Sequence, residues 1–136
     1  MPTGLYLRGV HGRDQAITTV LCIDEDQAYQ RLLSKALASR TFNVVLAANG
    51  LEGVRKAREL RPDVILMDLP WPCMDSVEAI AELKGSHYTW HIPIIFMSNL
   101  PGKMRRRFTN KTRSRDFLTK PFETEELIEI IHKTLP

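Results

Sequence analysis

The stretch VILMD at residues 64–68 places four consecutive apolar side chains directly before a carboxylate. A short apolar run without alternation is typical of a strand that is buried on both faces, as in the parallel sheets of α/β proteins. Similar runs occupy residues 20–23, 44–47 and 94–97, and a shorter run occupies residues 117–118. The sequence therefore predicts five buried strands.

The segments between these runs repeat apolar residues at the spacing of amphipathic helices. Such stripes lie within residues 32–37, 51–60, 77–83 and 127–131, and a fifth segment within residues 103–115 places Met104 and Phe108 on one helical face. Strands that alternate with helices through short connections form a parallel sheet covered on both faces. We therefore expect an α/β domain at residues 19–136, with a doubly wound, five-stranded parallel sheet and five flanking helices. An irregular leader is expected at residues 1–18.

The composition fits one globular domain and favours no membrane association. Of the 136 residues, 43% are hydrophobic and 26% are charged, which is ordinary for a soluble domain. No apolar run approaches the roughly 20 residues that a membrane-spanning helix needs, and charged residues interrupt the N-terminal region. We therefore expect a cytoplasmic protein. Cys22 and Cys73 show no metal-ligand spacing and are interpreted as reduced thiols.

The net charge of +3 arises from one basic stretch at residues 103–115, which holds seven basic residues and no acidic one. Its members are Lys103, Arg105, Arg106, Arg107, Lys111, Arg113 and Arg115. Three interpretations stay open: a solvated helix face, a docking surface for an acidic partner, and a contact with nucleic acid. The last is disfavoured because Phe108 is the only aromatic residue of the stretch.

Polar side chains follow four of the five predicted strands. Asp24 and Glu25 follow the first strand and Asp68 the third, while Ser98 follows the fourth and Lys120 the fifth. Because the carboxyl ends of parallel strands meet at one edge of a sheet, we expect these side chains to converge. Neighbouring carboxylates repel one another unless a cation is present, and Mg²⁺ prefers carboxylate and water oxygens. The pattern indicates a magnesium site at which Asp68 can attack a phosphoryl group.

These motifs, taken together and in order, resemble the receiver domains of response regulators. The matching elements are Asp24-Glu25 after the first strand, Asp68 in DVILMDLPWPCMDS, Ser98 in IPIIFMSN and Lys120-Pro121 in DFLTKPFETEEL. The resemblance extends over residues 19–135. It implies a flavodoxin-like, chemotaxis-regulator-like fold with strand order 2-1-3-4-5.

The resemblance also assigns a role to each matching residue. It implies that Asp68 is the phosphoacceptor and that Ser98 is the switch hydroxyl. Lys120 matches the active-site lysine, which precedes a cis proline in that family, and Phe117 matches an aromatic ring that turns inward on activation. The implied ligands of Mg²⁺ are Asp24, Glu25, Asp68 and the backbone carbonyl of Pro70.

The implied partners are those of a two-component phosphorelay. A histidine kinase or a histidine phosphotransfer protein would supply the phosphoryl group, and a downstream protein would recognise the switched surface. Residues Lys103, Arg105, Arg106, Arg107 and Lys111 fall on that surface. We expect no enzyme activity beyond self-catalysed phosphotransfer and autodephosphorylation, and either a monomer or a phosphorylation-linked dimer.

Several residues depart from the family pattern. Glu25 stands where aspartate is common, Ser76 and Arg113 stand where glycine is usual, and Pro70 stiffens the loop beside Asp68. Ser76, Pro70 and Arg113 motivate an alternative, a degenerate receiver that binds proteins without phosphorylation. A metal-dependent phosphohydrolase is disfavoured because no second acid lies two residues after Asp68. Whether the chain acts alone or belongs to a longer protein stays open.

Overall fold

The computed structural model of the chain describes residues 17–69, 74–98 and 116–135. Its five strands are β1 (Thr19–Ile23), β2 (Asn43–Ala47), β3 (Val64–Asp68), β4 (Ile94–Ser98) and β5 (Asp116–Thr119). All neighbouring strands are parallel, and the strand order is β2-β1-β3-β4-β5. The predicted doubly wound parallel sheet with strand order 2-1-3-4-5 is confirmed.

Four helices flank the sheet in the described residues, one fewer than the five predicted. They are α1 (Gln27–Ala38), α2 (Gly50–Leu60), α3 (Met74–Gly85) and α4 (Thr124–Thr134). The fifth predicted helical segment falls within residues 103–115, outside the described ranges. Of the predicted leader, only residues 17 and 18 are described. None of these four helices is long and apolar enough to cross a membrane.

Side-chain caps fix the beginnings of the two helices that follow β1 and β2. The carboxylate of Asp26 accepts a hydrogen bond from the backbone N–H of Tyr29, and the side chain of Asn49 accepts one from the N–H of Glu52. Such caps satisfy N–H groups that have no partner within the helix. Helix α2 ends where Arg61 adopts a left-handed conformation, directly before a proline.

The strands separate two apolar clusters because successive side chains point to opposite faces of the sheet. One cluster contains Leu21, Ile23, Val54, Ile65 and Phe96 and lies beneath α2 and α3. The other contains Val20, Cys22, Leu37, Leu66 and Leu127 and lies beneath α1 and α4. Both faces of the sheet are therefore covered, which accounts for the uninterrupted apolar runs in the sequence.

Cys22 is a buried, free thiol, as its apolar context predicted. Burial raises the pKa of this thiol to about 12, and the negative charge of Asp24 adds to the effect. A protonated, buried thiol behaves as a small hydrophobic side chain.

A buried amide ties α1 to the carboxyl edge of the sheet. The side chain of Gln30 donates hydrogen bonds to the carbonyl oxygens of Cys22, at 3.2 Å, and Ala47, at 2.7 Å. The same Ala47 oxygen accepts the backbone N–H of Asp24 at 3.1 Å. These bonds hold the end of β1 in place, and with it the first residue of the candidate site.

Gly53 allows α2 to approach β1 closely. A Cβ atom on Gly53 would lie 2.4 Å from Cδ1 and 2.7 Å from Cγ1 of Ile23. We expect Gly53→Ala to lower the free energy of unfolding by about 1 kcal/mol, because overpacking outweighs the gain in helix propensity. Urea denaturation measures the difference.

The matched control is Gly85→Ala, since a Cβ atom on Gly85 meets nothing within 4 Å. This variant should be neutral or more stable than the wild type by up to about 1 kcal/mol. Equal stability of the two alanine variants would contradict the packing explanation.

Candidate functional site

Two carboxylates face each other at the carboxyl edge of the sheet. Asp24 directly follows β1 and Asp68 is the last residue of β3, and the two strands pair with Ile23 opposite Met67. Asp24 is 2% exposed, and the side chain of Asp68 is 14% exposed. Asp68 is therefore the more accessible of the two.

Asp24 is an acid in an unfavourable environment. Burial raises its pKa above the ordinary value, and the nearby charge of Asp68 raises it further. The backbone N–H of Asp26 opposes this effect by donating to Oδ1 of Asp24 at 2.9 Å. The other oxygen, Oδ2, is buried and accepts no hydrogen bond from the described residues. Such an oxygen is a ready ligand for a cation.

The ammonium of Lys120 lies between the two carboxylates. Its Nζ is 2.5 Å from Oδ1 of Asp68 and 3.6 Å from Oδ2 of Asp24. The backbone N–H of Lys120 donates to the carbonyl oxygen of Ser98 at 3.0 Å, and the following peptide bond to Pro121 is cis. One positive charge thus offsets part of the repulsion between two acids.

Ser98 and Phe117 lie in the sheet beside this group. The buried hydroxyl of Ser98, at the end of β4, donates to the carbonyl oxygen of Leu69 at 2.9 Å. Leu69 directly follows Asp68, so the hydroxyl is bonded to the backbone next to the acid. The half-buried ring of Phe117 packs against Phe96, with 5.4 Å between the ring centroids.

Glu25 does not join Asp24 and Asp68 in the structure. Its side chain is exposed, and the described ranges contain no group of three or more His, Cys, Asp or Glu side chains that could hold a metal ion. Glu25 follows the buried Asp24 at a bend in the chain, between the end of β1 and the residue that caps α1. In the described residues the carboxylates that lie together are those of Asp24 and Asp68, and the role of Glu25 as a metal ligand stays a prediction.

A pair of carboxylates still suits Mg²⁺. This ion keeps several waters and is commonly bound by one or two carboxylates together with phosphate oxygens. The buried, unbonded Oδ2 of Asp24 and the accessible carboxylate of Asp68 meet that requirement.

Ser76 is not strained, although glycine is usual at this position in the family. It lies within α3, and Thr41 and Arg61 are the non-glycine residues with positive φ in the described ranges. This departure therefore imposes no backbone strain.

Several predictions fall outside the described residues. They concern the backbone carbonyl of Pro70 and the basic residues Lys103, Arg105, Arg106, Arg107, Lys111 and Arg113. These remain predictions from the sequence.

The site contains one aromatic residue that the sequence analysis missed. The ring of Tyr29, in the first turn of α1, has the Nζ of Lys120 4.1 Å from its centroid. Burial raises the pKa of Tyr29 to about 12, and the charges of Asp24 and Asp68 add to this effect. Its phenol is therefore neutral at ordinary pH. No spacing rule connects Tyr29 with Lys120, so only its position just after the acidic pair could have drawn attention to it.

The environment of Asp24 predicts that a neutral side chain there is more stable. In Asp24→Asn, Oδ1 can still accept the hydrogen bond from Asp26, while the buried charge is removed. Because the folded state disfavours the charged form of Asp24, we expect a gain of about 1 kcal/mol without Mg²⁺. Thermal unfolding in EDTA should show a rise in Tm of a few degrees.

Glu25→Gln, which neutralises the adjacent exposed acid, is the control and should change stability by less than about 0.5 kcal/mol. A lower Tm for Asp24→Asn than for the wild type in EDTA would contradict the claim that the buried charge of Asp24 destabilises the folded state.

Comparison with known proteins identifies the family. The model for the response regulator receiver domain matches residues 20–132. Protein PilH of Pseudomonas aeruginosa is 30% identical over 116 residues, which cover 85% of this chain and 96% of PilH. Some relatives are longer, and the chain spans 26% of one and 48% of another.

Solved structures agree with this assignment. Vibrio cholerae chemotaxis protein CheY4 has a TM-score of 0.81 at 25% identity, covering 88% of this chain and 100% of that one. The receiver domain of a Pseudomonas aeruginosa sensor histidine kinase, with magnesium coordinated in its active-site cleft, has a TM-score of 0.78 at 28% identity. That match covers 88% of this chain and 98% of the other. The chain therefore belongs to the response regulator receiver domain family.

Proposed function

We propose that this receiver domain accepts a phosphoryl group on Asp68, from the phosphohistidine of a histidine kinase or a histidine phosphotransfer protein. The observation that carries the proposal is the contact of Lys120 with both Asp68, at 2.5 Å, and the buried Asp24, at 3.6 Å. This contact supports the proposal because it brings a positive charge to the proposed nucleophile, Asp68, and to a carboxylate whose Oδ2 accepts no hydrogen bond from the described residues.

Asp68 would act as the nucleophile. Lys120 binds its Oδ1 at 2.5 Å, and its other oxygen, Oδ2, is the proposed attacking atom. Attack of this oxygen on phosphorus forms an acyl phosphate, while the phosphorus–nitrogen bond of the donor breaks and its imidazole keeps the electron pair. The Lys120 ammonium then offsets negative charge on the transferred group.

Mg²⁺ fits this site and is the proposed cofactor. Asp24 and Asp68 would hold it, and Glu25 and the backbone carbonyl of Pro70 are the further ligands that the family resemblance implies. When bound, the ion offsets charge on the phosphoryl oxygens.

The proposed switch begins at Ser98. Its hydroxyl is bonded to the carbonyl oxygen of Leu69. If this hydroxyl turned toward a phosphoryl oxygen on Asp68, its hydrogen bond to Leu69 would break. The movement would also leave space beside β4. Phe117, on the neighbouring strand, would then turn inward and alter the surface that a downstream protein recognises.

Receiver domains are signalling domains, and we propose a cytoplasmic phosphorelay role here, with self-catalysed phosphotransfer and autodephosphorylation as its chemistry. Lys103, Arg105, Arg106, Arg107 and Lys111 are the proposed contacts for an acidic downstream partner. Phosphorylation is proposed to act on a monomer or to promote a dimer.

Mass spectrometry after incubation with a small-molecule phosphodonor and Mg²⁺ tests the proposed function. We expect one phosphoryl adduct on the wild type, and no adduct on Asp68→Asn or in EDTA. Asp63→Asn is the matched control, because Asp63 lies just before β3, at the opposite end of that strand from Asp68. It should retain the adduct.

An adduct that persists in Asp68→Asn would contradict the assignment of the acceptor. Absence of any adduct on the wild type would instead favour the degenerate receiver that binds proteins without phosphorylation.

Magnesium should reverse the order of stability between the wild type and Asp24→Asn. At roughly 100 times its dissociation constant, a ligand stabilises the folded state by about 2.7 kcal/mol. This exceeds the gain of about 1 kcal/mol expected for Asp24→Asn in EDTA. We therefore expect the variant to have the higher Tm in EDTA and the lower Tm in excess Mg²⁺. An equal rise in Tm for both proteins would show that Asp24 does not hold the ion.

A further inference from the structure

Tyr29 contacts the same Lys120 ammonium that lies beside the two carboxylates. The Nζ atom lies 4.1 Å from the centroid of the Tyr29 ring, and it is 2.5 Å from Oδ1 of Asp68. Cations within about 6 Å of a ring centroid are attracted to the face of the ring, most strongly where water is excluded. The side chain of Lys120 is 23% exposed, so most of its contacts are made with the protein.

Two contacts fix the position of Tyr29, one through its backbone and one through its ring. The backbone N–H of Tyr29 donates to the Asp26 carboxylate that caps α1. The ring is nearly perpendicular to that of Phe122, with centroids 6.3 Å apart and an angle of 84° between the ring planes. Phe122 lies two residues after Lys120. Tyr29 therefore connects the segment after β1, which carries Asp24, with the segment after β5, which carries Lys120.

A lysine side chain has four flexible carbons and three equivalent donors. Many of its conformations therefore leave the ammonium out of contact with a given carboxylate oxygen. Contact of the ammonium with a fixed aromatic ring reduces the number of conformations that the lysine side chain can adopt. Fixing a charged group in the geometry that the reaction uses lowers the reorganisation needed during the reaction.

From these contacts we propose that Tyr29 is a positioning residue, whose ring holds the Lys120 ammonium against Asp68 and thereby accelerates phosphorylation. This inference rests on the proposed function of Asp68. It concerns the ring and not the hydroxyl, so phenylalanine should replace tyrosine without loss.

The test combines three variants with the small-molecule phosphodonor assay. Tyr29→Leu should slow phosphorylation by roughly tenfold, the change that about 1.4 kcal/mol of lost stabilisation produces. Tyr29→Phe should retain the wild-type rate. In a Lys120→Ala background, Tyr29→Leu should cause no further loss, because the ring then has no ammonium to hold.

Tyr88→Leu is the matched control for removing an aromatic ring that contacts a cation. The guanidinium of Arg61 lies 4.8 Å from the centroid of the Tyr88 ring, in the segment that precedes β4. This variant should be phosphorylated at the wild-type rate.

A nuclear magnetic resonance measurement separates the geometry from the function. The ε-methylene protons of Lys120, assigned with Lys120→Arg, should be shifted upfield by the ring current in the wild type and in Tyr29→Phe, but not in Tyr29→Leu. An unshifted signal in the wild type would overturn the proposal, as would wild-type phosphorylation of Tyr29→Leu or an undiminished effect of this substitution in Lys120→Ala. If the wild type accepts no phosphoryl group, the proposed function fails, and the upfield shift alone decides whether Tyr29 orients Lys120.

Discussion

The contact of one ammonium with two carboxylates is the constraint on which this structure depends. Asp24 directly follows β1 and Asp68 ends the adjacent parallel strand β3, so the pairing of these strands keeps the two residues close together. Lys120 reaches both from the far side of β4, at 2.5 Å from Asp68 and 3.6 Å from Asp24. The fold therefore maintains a local arrangement of charges that is unfavourable by itself and is suited to binding a cation or a phosphoryl group.

Uncharged side chains position the residues around Asp24, Asp68 and Lys120 at the carboxyl edge of the sheet. Gln30 fixes the ends of β1 and β2 through their carbonyl oxygens, and Ser98 is bonded to the residue after Asp68. Tyr29 packs against both Lys120 and Phe122. These contacts hold the acids and the lysine at defined positions before any ligand binds, which reduces the cost of organising the site.

The fold could be predicted from the sequence because both faces of a parallel sheet are buried. Each of its strands therefore forms a continuous apolar run. The meeting of Asp24, Asp68 and Lys120 followed from the geometry of parallel strands, whose carboxyl ends share one edge. The exposed position of Glu25 did not follow, because the direction of a side chain just past a strand depends on where that strand ends. The cation–aromatic contact of Tyr29 depends on how α1 approaches the segment after β5, and a single sequence carries no periodic signal for this.

In the proposed reaction, Asp68 carries the phosphoryl group as an acyl phosphate. Borohydride reduction tests it most directly, since it converts an acyl phosphate to an alcohol, and peptide mass spectrometry then locates the changed residue. We expect homoserine at position 68 in phosphodonor-treated protein and none in untreated protein. Homoserine at another acidic residue, or a borohydride-resistant phosphate on Ser98, would contradict it.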